Sequence, residues 1–190
     1  MKLVVVGEAP SRRAEKAVEE QVRSHGSRLS NPETCRRYWL DRQACAGVCG
    51  HRLAELAGAS YREYVERTER FNVLPRWPGW ERNRRRGDRG KGSRFPVKEA
   101  RRRASKLLDG FSDRRVLLLG RRVAAAFRVE ASVPVLSWRR RFDPDDGHFW
   151  TFAVFPHPSR VNRWYNAEEN RLRAGRFLRD ALVRAREEGP

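Results

Sequence analysis

Leu3-Val4-Val5-Val6-Gly7-Glu8-Ala9-Pro10 opens the chain, and Phe152-Ala153-Val154-Phe155-Pro156-His157-Pro158-Ser159 stands towards its other end. Each is a short apolar run stopped by a sharp break. Runs this short, continuous and β-branched suit strands buried on both faces, as in a parallel sheet. Two further runs share the design: Phe71-Asn72-Val73-Leu74 into Pro75, and Arg115-Val116-Leu117-Leu118-Leu119 into Gly120. Helical patterns fill the intervals. Gly50 to Leu56 and Tyr61 to Arg67 read as two short helices separated by Gly58-Ala59-Ser60. Pro96 at a helix start, followed by Val97, Ala100, Ala104, Leu107 and Leu108, gives an amphipathic period. Arg122 to Phe127 is another short helix, and Ala167 to Arg186 a long one with Leu172, Phe177, Leu178, Ala181 and Leu182 facing inward. Strand and helix alternating in this way predict a single α/β domain over residues 1–190, a three-layer α/β/α fold around a four-stranded parallel sheet.

Two stretches carry no period. Residues 24–46 read as a long excursion, and residues 80–94 (WERNRRRGDRGKGSR) as a basic loop. Met1 to Gly7 enters a strand at once and leaves no room for a signal peptide, so the expected location is cytoplasmic.

Charge sets the partner. Lys and Arg number 42 against 24 Asp and Glu, a formal net charge of +18, while 39% hydrophobic residues still provide a core. Such a field concentrates polyanions, DNA and RNA foremost. No apolar run approaches the length needed to span a bilayer, so no membrane role is expected. Cys35, Cys45 and Cys49 are an odd number and form no C-x-x-C pair. That pattern argues against a disulfide scaffold or a metal site, and no cofactor is expected.

Ligands of open parallel sheets bind outside the carboxyl ends of the strands. There the four runs deliver a carboxylate (Glu8), an amide (Asn72), guanidiniums (Arg121 and Arg122) and an imidazole (His157). Each has a plainer reading: a capping carboxylate, an amide serving a strand end, solvated helix-start charges, a turn histidine between prolines. Convergence from four strands outweighs those readings for Glu8, Asn72 and His157, while Arg121 and Arg122 read more often as solvated helix-start charges than as specific ligands. Trp77, Trp80, Trp138 and Trp150 are read as buried aromatics, and Trp164 as the tryptophan available for stacking.

Taken in order, these residues resemble a known family. GEAP after the first strand and HPS after the last resemble the signature motifs of the uracil-DNA glycosylase superfamily, closest to its thermostable bacterial and archaeal branch. Cys45-Ala46-Gly47-Val48-Cys49-Gly50, then Arg52-Leu53, sits where that branch has a Gly-x-x-Gly segment, and Phe71-Asn72-Val73 is similar to its Asn-Val motif. The resemblance implies a monofunctional DNA glycosylase, a hydrolase of base-excision DNA repair that flips out uracil or a related base and leaves an abasic site. It makes His157 the donor to the departing base, Asn72 the reader of its edge, and Glu8 a group acting on water or on the sugar cation. Losing one such donor commonly costs roughly 3–4 kcal/mol. Ala9, Pro10, Ser11 and Cys45 would line the base pocket. Ser159, Arg160, Val161, Asn162, Arg163 and Trp164 fall where the family inserts a wedge into the vacated stack. Arg84, Arg85, Arg86, Lys91 and Arg121 would hold phosphates of single- or double-stranded DNA, with the protein acting as a monomer.

Departures are visible too. Ser11 stands where the branch has Gly, and Cys45 where it has a stacking Phe. The branch's iron–sulfur cluster needs four cysteines, two ahead of the first motif; this chain has three and starts at that motif, so no cluster is expected. Two alternatives stay open: a DNA-binding member without catalysis, and a glycosylase for a phage-type modified base. An RNA-binding protein would explain the charge but none of the rim residues.

Overall fold

Strand β1 (Leu3–Gly7) is buried at every position and pairs in parallel with a strand on each side. The computed structural model describes residues 2–9, 47–76, 78, 95–143, 147–159 and 162–187. Within them the order is β1, α1 (Gly47–Ala57), α2 (Tyr61–Arg67), β2 (Thr68–Asn72), α3 (Val97–Leu108), β3 (Arg115–Leu119), α4 (Arg121–Ala126), β4 (Arg139–Asp143), β5 (His148–Phe155), a 3₁₀ turn (Arg163–Asn166) and α5 (Glu168–Glu187). The excursion at 24–46 and the basic loop at 80–94 lie outside the described residues.

The fold is α/β, with a five-stranded, mostly parallel sheet in the order β2-β1-β3-β5-β4. This corrects the expected four-stranded parallel sheet. The additional strand, Arg-Arg-Arg-Phe-Asp, is antiparallel to β5 and has no apolar run to announce it. It forms because β5 starts at His148, four residues before its apolar core, and the exposed first half pairs with the returning chain.

Strand β2 also departs from its apolar run. It spans Thr68–Asn72, not Phe71–Leu74, because an edge strand buried on part of its surface tolerates Glu69 and Arg70. Val73 and Leu74 follow it, buried, their N–H groups donating to the carbonyls of Gly7 and Glu8 at 2.9 Å each.

Alternation along the strands feeds two cores. Val4, Val6, Val116, Leu118, Phe152 and Val154 face α3 and α4 through Ala100, Ala104, Val123 and Ala124. Leu3, Val5, Leu117, Leu119, Ala153 and Phe155 face α1, α2 and α5 through Leu53, Tyr64, Leu178 and Leu182. Helices therefore cover both sides of the sheet. Each fully buried aliphatic side chain contributes about 1.5–3 kcal/mol, so the two clusters carry most of the stabilisation. Leu172 was expected inward on α5 but is 58% exposed; the inward stripe begins at Ala174. Next to it Gly175 lies so close to α1 that a Cβ there would sit 2.5 Å from the Leu56 carbonyl oxygen. Among the described residues no helix is long and apolar enough to cross a membrane.

Candidate active site

The strand order reverses between β1 and β3: the chain builds outward to β2 on one side and to β5 on the other. Such a reversal opens a crevice at the carboxyl ends, where ligands of α/β sheets bind. The registers Gly7↔Asn72 and Leu119↔Phe155 bring all four parallel strands to a common rim. Glu8, Asn72, Gly120, Arg122 and His157 all stand at that rim.

Across the crevice Arg122 Nη1 lies 3.3 Å from Glu8 Oε1. Glu8 keeps 20% of its side-chain exposure and Arg122 49%, so the carboxylate is the better shielded partner. Gly120 makes the turn from β3 into α4 at φ 92°, a region that only glycine adopts without strain. A Cβ there would also press on His157, 3.2 Å from its Cβ. The turn is thus tight because the imidazole lies directly against it.

His157 is half-buried and its ring has a fixed proton position. The backbone N–H of Ser159 donates to Nδ1 at 3.2 Å, so the neutral ring carries its proton on Nε2. Burial pushes the imidazole below its usual range; Glu8 pulls it back up, and Arg122 pushes it down again. The result at neutral pH is an uncharged ring with its N–H donor on Nε2.

The loop bearing this ring is tied at three successive carbonyls. The Tyr165 hydroxyl donates to Pro156 O at 2.7 Å, Asn162 Nδ2 to His157 O at 2.9 Å, and Arg52 Nη1 to Pro158 O at 3.4 Å. Arg52 also lies over the Tyr165 ring, 4.7 Å from its centroid. Burial raises the Tyr165 hydroxyl far above its ordinary range, so it remains a donor.

Asn72 is 2% exposed, and among the described residues its Nδ2 finds no hydrogen-bond partner. Its main-chain carbonyl is capped by Arg103 Nε at 3.1 Å. A buried amide N–H left unpaired costs about 1–3 kcal/mol. That cost is tolerated where a ligand supplies the missing acceptor.

No protein-family model, curated protein or solved structure matches the chain.

The residues singled out from the sequence fall into four groups. Glu8, Asn72 and His157 gather at the rim with Ala9 and Ser159 beside them. Arg121, Asn162 and Trp164 hold the fold locally: Arg121 Nη1 donates to Val133 O at 2.6 Å, Asn162 Oδ1 accepts from the Trp164 N–H at 3.1 Å, and the Trp164 ring meets Tyr165 edge to face. Arg163 is exposed at the start of the 3₁₀ turn. Pro10, Ser11, Cys45, Arg84, Arg85, Arg86, Lys91, Arg160 and Val161 lie outside the described residues. Sequence reasoning missed Arg52, Arg103 and Tyr165. Arg52 on α1 reaches a loop more than a hundred positions away, a relation no local pattern carries, and Tyr165 reaches back to Pro156 from the following 3₁₀ turn. Arg122 was expected at the rim as a solvated helix-start charge; its pairing with Glu8 was not foreseen.

Chemically, the rim offers a neutral imidazole donor, a shielded carboxylate and an unpaired amide. The set can stabilise negative charge developing on a planar leaving group while a carboxylate faces the carbon left behind.

Proposed function

We propose that this protein is a monofunctional DNA glycosylase of the uracil-DNA glycosylase superfamily, hydrolysing the bond between the sugar and a flipped-out uracil or related base. The observation carrying this reading is the neutral His157, its proton on Nε2, at one rim with Glu8 and with Asn72, whose Nδ2 has no partner among the described residues. As the C1′–N bond breaks, its electron pair moves onto the base and charge gathers on the carbonyl oxygen. Nε2–H donates there, from a half-buried ring, and a preorganised donor shielded from water is worth far more than one in water. Asn72 Nδ2 supplies a donor to a base carbonyl. In this reading Glu8 stabilises the sugar cation and orients water. The water's oxygen ends on C1′ and its proton on the released base, so the reaction balances with water alone.

DNA as the polymer agrees with the +18 charge. Phosphate contacts would make affinity fall steeply with salt, log K against log[salt] having a slope of about −0.9 per phosphate contacted.

A strand-nicking assay tests the proposal. Labelled single- and double-stranded oligonucleotides carry uracil, hypoxanthine, xanthine or 5-hydroxymethyluracil, and alkali reveals abasic sites. The expected result is cleavage of one substrate class, lost in His157→Ala while DNA affinity stays within a few-fold. Tight binding with no cleavage of any substrate would overturn the enzyme reading in favour of a DNA-binding protein on the same scaffold.

A further inference from the structure

Away from the rim, the β4–β5 hairpin presents a second surface. Phe142 and Phe149 face each other across the two strands, 48% and 44% exposed, with ring centroids 5.1 Å apart and tilted by 55°. Arg140 lies over the Phe149 ring, 4.4 Å from its centroid. The next row on the same face is Arg140, Thr151 and Arg115, adjacent across β4, β5 and β3 by register. Beyond it Arg115 reaches over Trp138, 5.6 Å from the ring centroid. The face therefore alternates: an exposed aromatic pair, a row with two arginines, then a partly buried indole.

Two exposed phenylalanines on a sheet face are uncommon in a very polar chain, and burial does not explain them. Helix α5 covers the inner half of this face through Phe155 and Ala153 but leaves Phe149 and Thr151 outside. Aromatic rings interleaved with guanidiniums are the chemistry by which sheets hold unpaired nucleotides: bases stack on rings, and phosphates meet arginines. Duplex DNA would bring its phosphates but not its base faces, so the rings would gain nothing. The Asp143–His148 pair ends the ladder at the turn with its side chains on the opposite face, and a strand would leave past Arg140 and Arg115. From Phe149 to Phe155, six residues at about 3.3 Å each separate the platform from the rim by roughly 20 Å.

We propose that the Phe142–Phe149 platform, with Arg140 and Arg115, is a docking surface for single-stranded nucleic acid, distinct from the rim. It does not depend on catalysis there, and its test reads binding alone. Fluorescence anisotropy of the full chain is measured with labelled oligo-thymidine and with an oligomer of the same length made of abasic sugar-phosphate. The double variant Phe142→Ala/Phe149→Ala should lose about ten-fold or more in affinity for the base-bearing strand, the loss expected for removing aromatic stacking. Its affinity for the abasic oligomer should stay within two-fold of wild type, about the noise of such a comparison. Phe142→Leu/Phe149→Leu, which keeps bulk but not the aromatic face, should reproduce the loss and guards against misfolding of the alanine pair. Equal binding by wild type and both double variants would overturn the proposal, as would equal losses for the two oligomers. A wild-type dimer in sedimentation that both double variants dissolve would also overturn it, assigning the patch to a second copy of the chain.

Discussion

The Ser159 backbone N–H donates to Nδ1 of His157 at 3.2 Å. Adding a proton at Nδ1 would set two hydrogens against each other, so this contact favours the neutral ring in the same direction as burial does. The unfolded ring takes its proton near 6.5, the folded ring only at lower pH. Between those values the unfolded chain binds more protons, so stability rises with pH. The contribution is whole above 6.5 and is lost as pH falls through the folded value. NMR titration of His157 should give a midpoint below 6.5, and excision should hold at pH 6.5 and fall only below it. A midpoint above 6.5 would remove the neutral donor from the mechanism.

Glu8 and Arg122 act on that ring in opposite senses. Glu8→Gln should therefore lower the His157 midpoint further, and Arg122→Gln should raise it. Shifts of the same sign in both variants would mean that the ion pair acts by packing and not by charge.

Asn72 separates stability from activity. Its truncation removes an amide with an unpaired, buried Nδ2, so Asn72→Ala should cost little, about 1 kcal/mol or less once the relieved desolvation offsets the lost packing. Excision should fall by about a hundred-fold or more. Urea melts beside the nicking assay decide; a large loss of stability with excision retained would make Asn72 structural.

These residues also show what the sequence carried. The apolar runs at β1, β3 and β5 were legible because strands buried on both faces need continuous apolar side chains. Helix α2 was legible at both ends, since Ser60 and Glu63 form a capping box around its first turn. Strand β4 was not, because an exposed edge strand has no required pattern; its partner creates it. Glu8, Asn72 and His157 could be placed at the rim from strand ends alone. Arg52 could not, since its value lies in reaching the Pro158 carbonyl far away in sequence, nor could Tyr165, whose tie to Pro156 depends on how the loop turns back.

Gly175→Ala tests the closeness of α5 and α1. Its added methyl would meet the Leu56 carbonyl at 2.5 Å, and the helices must separate. A loss of about 1–3 kcal/mol is expected, as for overpacked cores, with DNA affinity unchanged. A melting temperature equal to wild type would show that the helices part freely.

Tyr165→Phe removes the hydroxyl from Pro156 O and leaves that carbonyl unpaired. Stability should fall by about 1–3 kcal/mol, and excision should fall with it as the ring of His157 loosens. Full activity at reduced stability would limit Tyr165 to the fold.

The three tied carbonyls of Pro156, His157 and Pro158 have one more consequence. A segment fastened at three successive carbonyls has little slack with which to mould itself around what arrives. Adjustment must then come from the visitor, and selection follows from how readily the visitor bends. A polymer already loosened at the right place would enter quickly; a stiff one would wait for its own fluctuation, whatever its affinity once inside.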